Sequence, residues 1–266
     1  MHKIHSQPGY VDSQYLDSAN ELLRPIKRRS HELLHVREGQ SVLDLGCGVG
    51  IDTVALSGLV GMSGYVVGVD ADPEMVAEAN QRARRLGLED HVSHQQADAS
   101  TLPFPDEHFD ACRAERILMH LADPVSAITE LARVLKPGGW LVLTEPDWGT
   151  LSIASELIGI ERRFAKIYAE HFLRSGYAGR QLYQWMRQAG IHAPTVEITP
   201  LWQNDLHKLR YLSVLDQVET FALVGNLVSE EELQAWRADL QQAHDRGCFF
   251  ASLNIVTVAG QKTLAG

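Results

Sequence analysis

The feature of this sequence that most constrains its fold is an apolar run followed by three closely spaced glycines. Residues 41–45 read Ser-Val-Leu-Asp-Leu, and glycines stand at positions 46, 48 and 50. The run predicts a buried strand, and a helical pattern begins at Asp52. Glycine lets the backbone adopt positive φ and lets a ligand approach the chain, and the start of a helix offers unpaired N–H groups to an anion. The segment therefore predicts a strand, a tight turn and a helix, with a ligand site at the turn.

The same alternation of strand and helix continues to residue 145. Further strands are predicted at 65–69, 92–97, 109–114 and 140–145, and helices at 52–59, 73–86 and 124–135. Strands that alternate with helices form right-handed crossovers, which produce a parallel sheet with helices on both faces. The fold class is therefore α/β.

The sequence predicts a single domain with further helices and strands attached, because no linker interrupts the chain. Its parts are an N-terminal helical segment (1–38), a ligand-binding core (39–147), a cap of helices with one strand (148–228), and a last helix with a terminal strand (229–266). In the first part, Pro25 is expected to end one helix and start another. In the cap, continuous helices are predicted at 151–173 and 205–223.

Charge and cysteine content exclude several classes of partner. The formal net charge is −10 at pH 7, which argues against a surface that follows a nucleic-acid backbone. The three cysteines, Cys47, Cys112 and Cys248, are far apart and odd in number, so they predict neither a disulfide framework nor a C-x-x-C metal site. No run is long enough to span a membrane, and the first residues have no apolar signal core. We expect a cytoplasmic protein that needs no metal.

Residues that could bind a nucleoside ligand follow the first three predicted strands. In an open α/β sheet, ligands bind at the carboxyl ends of the strands. Asp70 follows the second strand and can accept hydrogen bonds from ribose hydroxyls, unless it only caps the next helix. Asp98 and Ala99 follow the third strand, where a carboxylate and a backbone N–H can meet the edge of an adenine. Ile51 occupies the third glycine position of the dinucleotide pattern G-x-G-x-x-G, so the spacing here is G-x-G-x-G and differs from that pattern.

Four further segments carry a resemblance to a known family. They are Leu-Pro-Phe-Pro-Asp-Glu-His-Phe-Asp at 102–110, Arg-Ala-Glu-Arg at 113–116, Ile-Leu-Met-His-Leu-Ala-Asp-Pro at 117–124 and Val-Leu-Lys-Pro-Gly-Gly-Trp at 134–140. With the glycine turn, they resemble the class I S-adenosylmethionine (SAM)-dependent methyltransferases, in the small-molecule group that includes the ubiquinone and menaquinone biosynthesis enzymes. The resemblance runs from about residue 40 to residue 146. Beyond that point only residues 249–260 look like the family's terminal strand.

The resemblance implies a fold, a cofactor and a set of cofactor-binding residues. The fold is Rossmann-like, with a seven-stranded, mostly parallel sheet, an antiparallel terminal strand, helices on both faces and a helical cap. The cofactor is SAM and the product S-adenosylhomocysteine (SAH). The residues implied are Asp44, Gly46, Cys47 and Gly48 at the methionine part, Asp70 at the ribose, Ala71, Met75, Asp98 and Ala99 at the adenine, Arg116 through its backbone, and Tyr15 from the N-terminal segment.

The methyl acceptor and the catalytic residues are less constrained by the sequence. Glu115 and Arg116 replace apolar residues common in the family, so their side chains are candidates for acceptor contacts. Trp148, His171 and Arg180 of the cap are further candidates. His120 is the candidate general base, because imidazole titrates near neutral pH.

Several alternatives follow from the same residues. None of the seven tyrosines precedes a lysine by four residues, so the Y-x-x-x-K pattern of NAD-dependent short-chain reductases is absent. The segment 114–117 differs from the D/N-P-P-Y/F turn of nucleic-acid amino-methyltransferases. A SAM-binding protein of this fold that does not transfer methyl remains open, as do the acceptor atom and the oligomeric state.

Overall fold

A seven-stranded mixed sheet forms the centre of the molecule. The structure is a computed structural model that describes residues 13–263, with side chains described from residue 22. The strands are β1 (Ser41–Leu45), β2 (Tyr65–Asp70), β3 (Val92–Gln96), β4 (Phe109–Glu115), β5 (Leu135–Ile153), β6 (Ile191–Gln203) and β7 (Ala251–Lys262), in the order β3-β2-β1-β4-β5-β7-β6. Strands β1 to β5 pair in parallel, whereas β7 lies antiparallel to both β5 and β6. This confirms the predicted fold, including the antiparallel terminal strand beside β5.

Helices cover both faces of the sheet and form the cap. They are α1 (Ser13–Glu32), α2 (Ile51–Val60), α3 (Pro73–Arg85), α4 (Pro124–Val134), α5 (Ile158–Ile167), α6 (Ala178–Gln188), α7 (Leu206–Leu212), α8 (Leu215–Val224) and α9 (Glu230–Asp245). Helix α9 begins with a capping box, in which the Ser229 hydroxyl accepts from Glu232 N and the Glu232 carboxylate accepts from Ser229 N. No helix of the described part of the chain has the length and apolarity needed to cross a membrane.

Two large apolar cores hold the cap and the sheet together. One lies between β1, β4, β5 and the helices α4 and α6. The other lies between the cap and the last helix, where Phe164 of α5 stacks on Trp236 of α9 at 5.1 Å between ring centroids. Trp148 and Phe172 pack against both cores. The cap is therefore joined to the sheet by a continuous apolar contact at the carboxyl end of β5.

The structure corrects several predicted boundaries. Helix α1 runs through Pro25 without a break, since buried Leu23 and Ile26 on either side of it pack against Ile255 and this packing outweighs one lost backbone hydrogen bond. Strand β5 continues to Ile153 because its last residues pair with β7. The predicted helix 205–223 is two helices, divided at Val214, whose φ is 49°.

Candidate functional site

The glycine turn after β1 is fastened to the end of β2. The N–H groups of Gly46 and Cys47 both donate to the Val69 carbonyl, at 2.7 and 3.0 Å. Gly46 has a φ of 75°, and a Cβ atom there would come within 2.9 Å of the Ile117 side chain. Only glycine therefore fits at this position. Burial raises the pKa of the Cys47 thiol well above its usual value, so this cysteine stays protonated.

Asp70 joins the second strand to the glycine turn. Its Oδ2 accepts from Gly48 N at 2.9 Å, and its Oδ1 accepts from Asp72 N at 3.0 Å. Asp72, rather than Asp70, caps α3, because its side chain accepts from Glu74 N. Each carboxylate oxygen has a second lone pair, so Asp70 keeps the capacity to accept from a ligand's hydroxyl groups.

The third strand end presents Asp98 and Ala99 to the same space. The hydroxyl and backbone N–H of Ser100 donate to Asp98 Oδ1 at 2.7 and 2.8 Å, and these bonds lower the pKa of Asp98. The carboxylate is therefore ionised and held in a defined orientation. Ala71 and Met75, at the start of the segment after β2, line the same cavity.

These strand ends open into one large cleft at the carboxyl edge of the sheet. Its volume is about 810 Å³, within the usual range for ligand pockets. Twelve of the sixteen residues that the sequence predicted for the site line it: Gly46, Cys47, Gly48, Asp70, Ala71, Met75, Asp98, Ala99, Glu115, Arg116, His120 and Trp148. The cleft extends from the glycine turn to the cap.

The other four predicted residues are not in the lining. Asp44 is buried beneath the glycine turn, where its Oδ1 accepts from Arg113 at 2.9 Å. His171 is exposed on a π-helical turn, Tyr168–Phe172. Exposed Arg180 pairs with Asp147 at 2.7 Å and stacks over Tyr177, outside the cleft. Neither His171 nor Arg180 lines the cleft, so their contact with an acceptor stays a prediction. The side chain of Tyr15 lies outside the described residues.

A buried network of charges lies beneath and beside the glycine turn, and sequence reasoning missed most of it. Arg113 of β4 donates to Asp44 and to Glu115, the latter at 2.7 Å. Lys27 of α1 pairs with Asp52 and, at 2.8 Å, with Glu115. The cations thus connect the N-terminal helix, the first helix after the turn and the end of β4. A charged residue in the middle of an apolar strand, as Arg113 is, was the signal that could have revealed the network.

The network perturbs the titration of its two central aspartates in opposite directions. Burial raises the pKa of Asp44 to about 6, although Arg113 acts against this. Burial would also raise the pKa of Asp52, but Arg113, Lys27 and a hydrogen bond from His31 outweigh it and hold that pKa well below its usual value. Asp44 Oδ2 has no hydrogen-bond partner among the described residues. It is thus a buried acceptor beneath the turn with unused hydrogen-bonding capacity.

The turn after β4 is held by a carboxylate from the next strand. Glu145 Oε1 accepts from the backbone N–H groups of Ile117 and Leu118, at 2.8 and 2.6 Å. Glu145 is fully buried, and burial raises its pKa to about 8 even though these N–H groups lower it. The turn begins with Arg116 in the left-handed region, at a φ of 55°. Glu145 thereby fixes the backbone that presents Arg116 and His120.

His120 and the aromatic side chains of the cap form the far wall of the cleft. Burial and the charge of Arg116 lower the pKa of His120 to about 4, and its Nδ1 has no hydrogen-bond partner in the described chain. Trp148 stacks on Tyr168 with 4.7 Å between ring centroids, and its indole N–H lies 3.3 Å from the Met119 sulfur. Trp148, Tyr168 and His120 therefore give this part of the wall aromatic surfaces and one neutral imidazole. Within residues 22–263, no group of three His, Cys, Asp or Glu side chains could hold a metal.

Known proteins are similar to this chain in sequence and in fold. The family profile described as a methyltransferase domain matches residues 43–143. An uncharacterised 37.1 kDa protein in transposon TN4556 of Streptomyces fradiae is 35% identical over 252 residues, which cover 94% of this chain and 71% of that protein. Demethylmenaquinone methyltransferase of Staphylococcus aureus strain MRSA252 is 31% identical over 172 residues, covering 64% of this chain and 68% of that enzyme. The solved structure of the YcgJ protein from Bacillus subtilis has a TM-score of 0.64 at 24% identity and covers 92% of this chain and 100% of its own.

The chain belongs to the class I SAM-dependent methyltransferases. Within that class it is of the quinone-biosynthesis methyltransferase type, and its cofactor is SAM, as the motifs predicted. The described residues fit this cofactor. A cradle that only glycine can form, free acceptor capacity on Asp70, and the unpartnered Asp44 Oδ2 all face or underlie one cleft.

Proposed function

We propose that this methyltransferase acts on a small organic acceptor bound between the carboxyl ends of β4 and β5 and the cap. The observation that carries the proposal is the continuity of the cleft. It begins at the glycine turn and ends against Trp148, Tyr168 and Phe172, whose rings pack together. A concave, aromatic wall suits a small apolar or aromatic molecule.

In this proposal the cofactor lies along the strand ends. Gly46 to Gly48 and Asp44 hold its methionine part, Asp70 its ribose hydroxyls, and Asp98 with Ala99 its adenine edge. Ala71 and Met75 pack against the ring. The bound cofactor supplies a methyl group already activated by a sulfonium charge.

The chain's own contribution to the reaction is alignment and the exclusion of water. The aromatic rings of the cap and the buried turn after β4 confine the acceptor beside the cofactor. Holding two reactants in a near-attack geometry supplies much of the rate acceleration in such transfers. We propose that no metal is required, because the donor needs no further activation.

His120 is the proposed base for acceptors that lose a proton. Its low pKa keeps the imidazole neutral and able to accept a proton across the physiological range. The same low pKa makes it a weaker base than an ordinary histidine. We therefore assign it a supporting contribution, smaller than that of alignment.

The surroundings of the reaction are also part of the proposal. The net charge of −10 supports a free small molecule rather than a nucleic acid as the acceptor. Cys47, Cys112 and Cys248 are all free thiols, which supports a reducing compartment such as the cytoplasm.

The experiment that tests methyl transfer measures its product. The protein is incubated with SAM carrying a labelled methyl group and a panel of small acids, phenols and amines. We expect labelled acceptor and SAH to form in equal amounts. Tight SAM binding with no SAH from any acceptor of the panel would instead favour a SAM-binding protein of this fold that does not transfer methyl.

A further inference from the structure

A second, apolar pocket lies beside the cleft and shares lining residues with it. Its volume is about 110 Å³, and side chains of α1, β5, β6, α7 and β7 enclose it, among them Leu22, Leu23, Leu201 and Leu253. An apolar cavity of about 150 Å³ holds a benzene molecule, so this one has room for an apolar group of about four or five carbons. We call it the side pocket.

The side pocket and the cleft share part of their walls. Both are lined by Arg116, Met119, Trp148, Leu212 and Ser213. Of these shared residues, only Arg116 carries a charge. An acceptor whose apolar end fills the side pocket would therefore pass the guanidinium group as it enters the cleft.

Arg116 is held at this junction with one buried donor, its Nε, that makes no hydrogen bond within residues 22–263. The nearest carboxylate oxygen in an ion pair, Oε1 of Glu115, lies 3.9 Å from Nε. Glu115 is itself committed to Arg113 and Lys27, at 2.7 and 2.8 Å. A buried charged donor without a partner is costly, so the arrangement favours a ligand with an anionic group at this position.

The backbone at Arg116 also indicates a functional constraint. Its φ of 55° lies in the left-handed region, which costs an arginine about 1 kcal/mol or more. Its N–H donates to the Thr144 carbonyl at 2.9 Å, and Glu145 holds the next two residues. Three strong hydrogen bonds thus keep a strained residue in the position that aims its side chain at the junction.

We infer that the acceptor is an amphiphilic acid: its anionic group pairs with Arg116, and its apolar group of about four or five carbons occupies the side pocket. The inference rests on the proposed function, because it takes the cleft beside the side pocket as the methyl-transfer site. Arginine suits this role since it keeps its charge and offers a planar pair of donors to a carboxylate. His120, close enough for the Arg116 charge to affect it, can donate to the same anion.

Calorimetry on the SAH-bound protein tests the inference with hexanoate, hexanamide and acetate as probes. Hexanoate should bind about tenfold or more tightly than the isosteric, neutral hexanamide, as expected for a hydrogen bond to a charged group. Acetate should bind weakly, because it has no group for the side pocket. Arg116→Gln should abolish the preference for the acid, whereas Arg174→Gln, which removes a cleft arginine that does not line the side pocket, should retain it.

Two further variants keep the test decisive. Leu253→Trp fills the side pocket and should weaken hexanoate while leaving acetate unaffected. If Arg116→Gln no longer binds SAH, Arg116→Lys replaces it and should show a reduced preference, since the charge remains but the paired donors do not. Equal binding of hexanoate and hexanamide, or an unchanged preference in the Arg116 variant, overturns the inference. The calorimetry measures binding of the probes and not turnover. A failure to form SAH from SAM would therefore count against the proposed function alone.

Discussion

Glu145 should make this protein less stable as the pH rises, and Glu145→Gln should remove that dependence. The carboxyl group is fully buried and its pKa is raised from 4.5 to about 8. Between these values the folded chain holds a proton that the unfolded chain has lost, so the free energy of unfolding falls as pH increases. From the two pKa values, this loss is about 2–3 kcal/mol between pH 5 and pH 7.

The variant is chosen because it keeps the hydrogen bonds of the turn. The glutamine Oε1 can still accept from Ile117 N and Leu118 N, which now bond to Glu145 Oε1. Its amide group occupies the place of Oε2, which has no partner in the described part of the chain. Any cost of burying that amide is the same at every pH and does not affect the slope.

Urea unfolding at pH 5, 6 and 7 measures the effect. The stability of the natural chain relative to Glu145→Gln should fall by about 2–3 kcal/mol across this range. His94 and His120, whose pKa values are lowered to about 4, favour the folded state as pH rises, but they cancel in the comparison. Glu219→Gln is the matched control, since this buried carboxylate pairs with Arg210 and Arg237 and its loss should cost stability at neutral pH. A difference between the natural chain and Glu145→Gln that does not change with pH would refute the reasoning.

Three other outcomes are expected. Asp70→Ala should weaken SAM binding by about 10- to 150-fold in calorimetry, the loss of a hydrogen bond to a charged acceptor, and an unchanged affinity would remove Asp70 from the ribose. His120→Ala should slow turnover of a hydroxyl acceptor by about tenfold. The natural enzyme should lose activity only as the pH falls towards 4, where His120 becomes charged. A loss of activity already near pH 6.5 would instead mean that the pKa of this histidine is not lowered. Incubation with a chelator should leave turnover intact, and loss that Mg²⁺ restores would contradict metal independence.

The glycine turn and the strand ends that line the cleft were predictable, because local sequence patterns mark them. Gly46 has the positive φ, 75°, that a tight glycine turn predicts, and Asp70 and Asp98 stand where parallel strands end. The Lys27 ion pairs could not be predicted, because they join residues that only the tertiary fold brings together. The orientation of His171 could not be predicted, because it lies within a π-helical turn at Tyr168–Phe172, where α-helical spacing no longer applies.

The ion pairs of Lys27 also bear on how far this domain can be shortened. Beneath the glycine turn, two cationic side chains, Lys27 and Arg113, form ion pairs with the carboxylates of Asp44, Asp52 and Glu115. A chain trimmed to begin at β1 would lose one of these cations and leave a surplus of negative charge in a buried place, which is strongly destabilising. The strands that surround the glycine turn are therefore not expected to fold stably without α1, and α1 must be retained in any minimal form of the enzyme.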